Sequence, residues 1–398
     1  MIIGDLVDAG TAEIRTGPFG TQLKASDYVE AGRPVLNVRN VGFGDVRAEK
    51  LEYVDDQTAE RLSGHVLQSG DIVFGRKGAV ERHAFIGDDF AGALQGSDCI
   101  RLRIRNNAPI RARFASFALC RAEHQAWMQA FCSHGATMAS LNQDILRQIR
   151  LPGLPLDAQD AVIEVLGSID DLIENNRRRV AVLEEMARAI YHEWFVRFRY
   201  PGHEDVPLVD SPLGPIPEGW RAVTIGEVLE LRYGKALKKD DRKGGSVAVV
   251  SSAGVVGWHD ESFVDGPTII VGRKGNVGSV TWVDGDSWPI DTAYFVDTDL
   301  PLRYVAEQLR GTEFLNTHAA VPGLSREQAY SRPFLRPPLD LMEGYEEAAG
   351  DLATEASTLQ MASLALARLR DLLLPKLVTG QVDVSSLDLD APTGGATG

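Results

Sequence analysis

The segment at 72–80 reads IVFGRKGAV, and the segment at 269–277 reads IIVGRKGNV. Each is an apolar run that ends in Gly-Arg-Lys-Gly and picks up again at a valine within two residues. The two copies lie 197 positions apart in a chain of 398 residues. One glycine-bounded basic turn is a plausible hairpin in any β-rich domain and decides little. Two, flanked alike, raise the question of whether the neighbourhood recurs as well.

It does recur. The first copy is followed by SHGATMASLNQDILRQIRLPGLPLD (133–157) and the second by THAAVPGLSREQAYSRPFLRPPLD (317–340). Both run from a histidine through leucine and small polar residues to a proline-rich stretch ending in Pro-Leu-Asp. His134 and His318 are 184 apart, while Leu141 and Leu324, and Pro155 and Pro338, are 183 apart. Upstream, GDLVDAGTAEIRTGPFGTQLK (4–24) faces GEVLELRYGKALKK (226–239), each a short helix-like start followed by a glycine-containing basic loop. Order is kept while spacing drifts, which describes a duplicated module of roughly 180–200 residues whose copies carry different insertions.

Beyond each Pro-Leu-Asp the apolar period changes. Val162, Leu166, Ile169, Ile173, Val180, Leu183, Ala187, Ile190 and Trp194 alternate steps of four and three, passing through Asn176. Tyr345, Ala348, Leu352, Leu359, Ala362, Leu366, Leu369 and Leu373 do the same, passing through Glu355. Sustained heptads predict a coiled-coil seam, with Ile169, Asn176 and Leu183 pairing from one helix and Leu352, Glu355, Leu359 and Leu366 from the other. The single polar interruption of each seam, Asn176 or Glu355, would fix register at some cost in stability. Helices laid on a globular core are the plainer alternative, but the narrow stripe and the charged ENNRRR at 174–179 favour an exposed pair.

Short β-branched runs (VLNVRNV, DIVFG, VAVVSSA, TIIVG, AYFV) beside helical pieces such as 112–131 make each module a mixed α+β domain in which strands dominate. YPGHEDVPLVDSPLGPIPEGW (200–220), dense in proline and glycine, reads as a linker. The end of the chain, APTGGATG, reads as a flexible tail. The expected division is a first module at 1–153, a helix at 154–199, the linker at 200–219, a second module at 220–338, a helix at 339–380 and the tail at 381–398.

Composition is that of a soluble globular protein, 44% hydrophobic and 24% charged. No run of eighteen apolar residues predicts a membrane span, and the first residues lack a secretory pattern. Three cysteines without a CxxC pair argue for a reducing cytoplasm and against a disulfide framework or a cysteine-based zinc site. The net charge of −15 argues against simple nucleic-acid binding, but it is unevenly spread. Residues 1–150 carry 18 basic and 18 acidic side chains, whereas 151–200 sum to −3, 201–340 to −6 and 341–398 to −6. Such a balance leaves room for a local basic groove.

No catalytic signature stands out. Walker A, GxGxxG, HExxH and GxSxG patterns are absent, and HEWFV (192–196) lacks a second metal-binding histidine. The reading is of a chain with no catalytic or metal-binding residues of its own. What remains is a set of polar loops at matching places. The basic loops hold Lys24 in one copy and Lys235, Lys238 and Lys239 in the other. NVRNVGFGD (37–45) offers Arg39 and Asn40, and SSAGVVGWHD (251–260) offers Ser251 and Ser252. The glycine-bounded turns offer Arg76 and Lys77, and Arg273, Lys274 and Asn276. ASLNQD (139–144) and GLSREQ (323–328) are helix starts that Ser140 or Ser325 could cap, and they carry Asn142, Gln143 and Arg326. Arg and Lys suit phosphates and guanine, and Asn and Gln suit adenine, so these residues are candidate DNA contacts. Each also has a plain reading as a solvated loop or a cap. Their ordered recurrence is what favours two modules on a spacer reading two half-sites.

At this point the chain resembles the specificity subunits of type I restriction–modification systems over residues 1 to about 380. The resemblance rests on LGPIPEGW (213–220) leading into TIGEV, on LEEMARAIYHEWFVRF (183–198) and on RLRDLLLPKLVTGQVDV (368–384). It implies two target recognition domains separated by two antiparallel conserved helices, with pseudo-twofold symmetry and no catalytic activity in this chain. It implies a bipartite site on double-stranded DNA and two modification subunits that bind S-adenosylmethionine and methylate adenine. It further implies restriction subunits that use ATP and Mg2+, all in the cytoplasm as a host-defence complex. About 30 seam residues at roughly 1.5 Å each span on the order of 45 Å, enough to bridge one duplex turn of about 34–36 Å. The alternatives are a stand-alone bivalent DNA-binding protein and a coiled-coil protein–protein scaffold.

Overall fold

A computed structural model describes residues 1–132, 139–314 and 323–384. His134 and His318 of the sequence repeat, and the tail from residue 385, lie outside the described residues. The chain divides into two compact units, Met1–Asn175 with Ala362–Gly398, and Asn176–Met361.

The first unit opens on α1 (Ile3–Asp8) and β1 (Ala12–Thr16). It continues through β2 (Tyr28–Val29), β3 (Arg33–Leu36), β4 (Phe43–Gly44), β5 (Glu52–Val54), α2 (Asp56–Arg61), β6 (Ile72–Gly75), β7 (His83–Phe85), β8 (Leu94–Gln95) and β9 (Cys99–Ile104). Then α3 (Ala112–Leu119), α4 (Ala122–Cys132) and α5 (Gln143–Arg147) lead into the long helix α6 (Leu156–Tyr191), whose first part belongs to this unit. The strands form two sheets, ordered β1-β9-β6-β7-β4 and β2-β5-β3-β8. Strand β9, CIRLRI, shows why: Ile100, Leu102 and Ile104 enter the core beneath α3 while Arg101 and Arg103 alternate to the other face. Those two arginines are met by Glu13 at 3.0 Å and by Asp71 at 2.6 Å, as charges turned inward must be.

The second unit begins in the last part of α6 and runs through β10 (Leu208–Val209), β11 (Ile216–Pro217), β12 (Arg221–Thr224), β13 (Glu230–Tyr233), β14 (Val247–Ser251) and β15 (Gly254–His259). It goes on through β16 (Thr268–Gly272), β17 (Val280–Val283), β18 (Ser287–Pro289), β19 (Ala293–Asp297), α7 (Leu302–Arg310), α8 (Arg326–Tyr330) and β20 (Pro333–Arg336). Helix α9 (Leu339–Val378) closes the chain, its first part in this unit and its last part in the first. The order β13-β19-β16-β17 repeats β1-β9-β6-β7 of the first unit. The parallel pair of β14 with β18 repeats that of β3 with β8. The fold is thus α+β and internally duplicated, as the recurrent motifs predict.

Two stretches differ from their sequence reading. The proline- and glycine-rich segment is folded into the second unit: β10 and β11 pair, and Tyr200, Ile216 and Trp220 are buried in its core, with the Tyr200 and Trp220 rings 5.4 Å apart. Aromatic and branched residues among the prolines supply the burial that a free linker lacks. At the other end Val384 packs into the first core, so the described start of the tail is anchored.

Each unit pairs a piece of α6 with a piece of α9. In the first, Val162 and Leu166 share the core with Leu374, Leu377 and Val378, and further along α6 Asp170 receives Arg370 at 3.0 Å. In the second, Arg179 meets Glu355 at 2.7 Å, and the Tyr191 ring lies 5.9 Å from that of Tyr345. In both, the α9 number falls as α6 advances, so the pieces run antiparallel. The seam positions on α6 from Val162 to Ile190, Ile169, Asn176 and Leu183 among them, are buried or half-buried. On α9, Tyr345, Leu352, Leu359, Leu366 and Leu373 face inward as expected, but the intervening positions fall one residue later. Ala349, Ala356 and Leu377 are buried, while Glu355, Ala362 and Leu369 are exposed. Glu355 therefore flanks the seam instead of interrupting it. Both phases satisfy a 3-4 alternation through the shared positions. Small Ala356 faces inward where Glu355 would otherwise be desolvated, and Arg370 on the inward line is neutralised by Asp170.

Candidate nucleic-acid interface

The Gly-Arg-Lys-Gly turn leaves β6 in the first unit and β16 in the second, and it is tied down identically. Leu141 N donates to Arg76 O at 2.8 Å, and Leu324 N donates to Arg273 O at 2.8 Å. Arg76 N donates to Asp98 O (2.8 Å) and Arg273 N to Thr292 O (2.9 Å). Lys77 bridges Ser140, and Lys274 bridges Gly323, in antiparallel register. The buried side chains of Leu141 and Leu324 hold this contact from beneath. The last glycine of each turn, Gly78 or Gly275, has φ of +75° or +80°, a conformation that only glycine adopts cheaply. With the backbone engaged on both sides, the arginine and lysine side chains are what the turn presents.

Immediately after the anchoring leucine comes the first turn of α5 or α8. Asn142 caps α5, its Oδ1 accepting from Ile145 N at 2.9 Å, and Ser325 caps α8, its Oγ accepting from Gln328 N at 3.2 Å. The expected cap at Ser140 is thus corrected to Asn142, two residues later and equivalent to Ser325. The adjacent residues reach back to the first strand of the sheet. Gln143 Nε2 donates to Thr16 Oγ1 at 2.9 Å, and the Arg326 guanidinium lies 4.2 Å over the Tyr233 ring. Beyond these strand ends the chain turns tightly: a Cβ on Gly17 would stand 2.0 Å from Gly96 O, and one on Gly234 would stand 2.2 Å from Ile290 O.

In the second unit these parts make a cluster. Arg273, which donates to Asp291 O at 2.9 Å, also lies over Tyr233, at 4.9 Å. Tyr294 stands 5.1 Å from Tyr233 and donates its hydroxyl to Leu324 O at 2.9 Å, and burial first, then the Tyr233 neighbour, pushes its pKa up to about 12. Lys235 points its ammonium at the Trp288 ring, 5.3 Å away. Stacking holds cationic groups at a surface without neutralising them, which suits them to an anionic or base-edge ligand.

The other candidates divide by their partners. Lys24, Lys238, Lys239, Lys274 and Asn276 are exposed. Arg76 is half-buried, and among the described residues no hydrogen bond or ion pair engages its side chain. Lys77 pairs with Asp98 at 3.1 Å and Arg39 with Glu52 at 2.6 Å, both at the surface. Asn40 is wholly buried and donates to Arg47 O and Glu49 O, bracing its own loop. Ser251 and Ser252 are buried as well: Ser251 Oγ accepts from Ala253 N, and Ser252 O accepts from Ser279 Oγ at 2.6 Å. The structure therefore brings Arg273, Lys274, Lys235 and Arg326 to one place and Arg76, Lys77 and Gln143 to the equivalent one. It turns the side chains of Asn40, Ser251 and Asn142 to structural use and buries Ser252. Tyr233, Tyr294 and Thr16 were not singled out by the sequence; for Thr16 and Tyr233 the available signal was a strand end just ahead of a glycine-containing loop.

A different surface is apolar. On α6 and α9, the first unit exposes Leu172, Leu364, Leu369 and Leu372, and the second exposes Val182, Met186 and Met361. Among the described residues no group of three or more His, Cys, Asp and Glu side chains could hold a metal ion. Among the described residues no helix is long and apolar enough to cross a membrane. His83 contacts Ser116 Oγ at 3.0 Å and Cys120 Sγ at 3.9 Å, but burial pulls its pKa down to about 3 and shuts it from any substrate.

No family model matches the chain. A protein of Methanocaldococcus jannaschii assigned as the specificity subunit of type I restriction enzyme MjaX is 24% identical over 199 residues, 49% of this chain and 46% of that protein. The MjaIX specificity subunit of the same organism is 29% identical over 102 residues, 26% of this chain and 24% of that protein. The matched stretches thus span less than half the length of these relatives. Among solved structures, the S subunit of a type I restriction–modification system from M. genitalium has the same fold, with a TM-score of 0.59 and 15% identity over 95% of both chains. In sequence over about half its length, and in fold over nearly all of it, the chain is similar to the specificity subunits of type I restriction–modification systems.

Proposed function

We propose that this chain is the non-catalytic DNA-specificity subunit of a type I restriction–modification complex. Each unit is a target recognition domain that reads one half of a bipartite site in double-stranded DNA. The observation that carries the reading is the repeated anchoring of the Gly-Arg-Lys-Gly turn, which offers basic side chains at the same point of two like domains. The exposed leucines and methionines of α6 and α9 fit docking of partner subunits, two that methylate adenine with S-adenosylmethionine and others that restrict with ATP and Mg2+. The net charge of −15 fits a subunit whose grip on DNA is completed by those partners.

The test is purification of the tagged chain from its host. Co-purification of an adenine methyltransferase, with affinity for duplex DNA that falls steeply as salt rises, is the expected result. Capture without a methyltransferase would favour a stand-alone bivalent DNA-binding protein, and a complex with no salt-dependent DNA affinity would favour a protein scaffold. Within an assembled complex, changing Arg76 and Lys77 together to alanine is expected to weaken recognition of one half-site while subunit stoichiometry stays unchanged. Collapse of assembly would make the turn purely structural.

A further inference from the structure

The Arg-Lys pair common to both turns cannot tell two half-sites apart. A residue that does so should occupy the same place in both units, face outward and differ in hydrogen-bonding type. The sheet register identifies one. Phe74, just before the first turn, pairs with Ile100, and Ile100 pairs with Thr16. Val271, just before the second turn, pairs with Tyr294, and Tyr294 pairs with Tyr233. Thr16 and Tyr233 therefore stand on the same rung. The side chain that reaches each of them also comes from the same place, directly after the capping residue: Gln143 to Thr16 and Arg326 to Tyr233.

What remains available on these two side chains differs. Gln143 is exposed and gives one Nε2 hydrogen to Thr16, which orients the amide and leaves a second N–H beside the Oε1 acceptor. A donor next to an acceptor matches the N7 and N6 edge of adenine in the major groove. Arg326 carries donors only, has 32% of its side chain exposed, and lies over the Tyr233 ring at 4.2 Å from its centre, with Glu230 no nearer than 4.0 Å. A planar fork of donors matches the N7 and O6 edge of guanine. We infer that Gln143 and Arg326 are the equivalent base-reading residues of the two units, selecting an A·T pair in one half-site and a G·C pair in the other, with Thr16 and Tyr233 as their positioning residues. This rests on the DNA-specificity reading above.

The experiment is selection from random duplex DNA by the full chain with its co-purifying modification subunits, comparing wild type with Gln143→Ala and Arg326→Lys. Wild type should select a bipartite motif with an A·T pair fixed in one half and a G·C pair fixed in the other. Gln143→Ala should relax only the A·T position and Arg326→Lys only the G·C position, each by about tenfold to a hundredfold in discrimination. Lysine keeps the positive charge but not the planar fork, so a phosphate contact would leave the motif unchanged in Arg326→Lys, whereas reading of guanine by the fork would weaken. An unchanged motif with Arg326→Lys and Gln143→Ala overturns the inference and leaves the bipartite reading standing. No motif from the wild-type complex overturns both. Unfolding of either variant shows as loss of the co-purifying subunits, and Arg326→Gln then takes the place of the lysine variant, with loss of the guanine preference expected and its retention contrary.

Discussion

Asn142 and Gln143 are neighbours with the same amide group and different employment. Asn142 caps α5 through Ile145 N, whereas Gln143 crosses to Thr16 at the end of β1. Asn142→Ala is accordingly expected to lower the stability of the first unit by about 1 kcal/mol in chemical denaturation, with Asn142→Ser restoring most of it. Sequence alone grouped both as candidate DNA contacts, because an exposed asparagine after small polar residues looks the same in either role. What separates them is the position of the first helical residue, which a pattern read along the chain locates only to within a residue or two. Asn40, Ser251 and Ser252 were grouped with them for the same reason, and the buried bonds that occupy them come from residues two to twenty-seven positions away. The glycine-bounded turn was legible because its chemistry is local: φ near +75° strongly favours glycine wherever it occurs.

At the scale of elements, both long helices were legible in type, and α6 in its phase, but the phase of α9 was not. Heptads on α9 admit two alternations through Tyr345, Leu352, Leu359, Leu366 and Leu373, and the structure takes the one that buries Ala356 and exposes Glu355 and Leu369. Hydrophobicity favours the other, since it would cover Leu369; the ion pair of Arg370 with Asp170 and the small Ala356 decide against it. Substitution checks this directly. Glu355→Ala is expected to cost under about 1 kcal/mol, because the pair with Arg179 is half exposed on both sides. Ala356→Glu, which drives a charge into the seam, is expected to cost several times more, on the order of 3 kcal/mol, measured as a fall in the denaturation midpoint. The reverse ranking would restore the phase read from the sequence. The strands were recognised as short β-branched runs, yet their sheet order was not, since pairing such as β1 with β9 joins residues some ninety positions apart.

For the whole molecule, duplication is the organising fact: one sheet order, one anchored turn and one cap position occur twice, in units that differ where their outward side chains would select a ligand. On the proposed function the two helices set the distance between half-sites. Adding one heptad to α6 together with one to α9 lengthens each by about 10 Å, equivalent to about three base pairs. Methylome sequencing of cells carrying that variant is expected to show both half-sites unchanged and the gap between them widened; an unchanged gap would remove the helices from that role.

The first unit's core is closed by Leu374, Leu377, Val378 and Val384, residues that leave the ribosome after the entire second unit. At about 5–20 residues per second, the first 175 residues wait on the order of ten to forty seconds with the faces of Val162 and Leu166 uncovered. The second unit, contiguous from Asn176 to Met361, has no such wait and is complete as soon as it is made. The part of the chain synthesised first is therefore the part that finishes folding last. Loss of the last turns of α9 would therefore injure the unit that is made first, whose core those turns close.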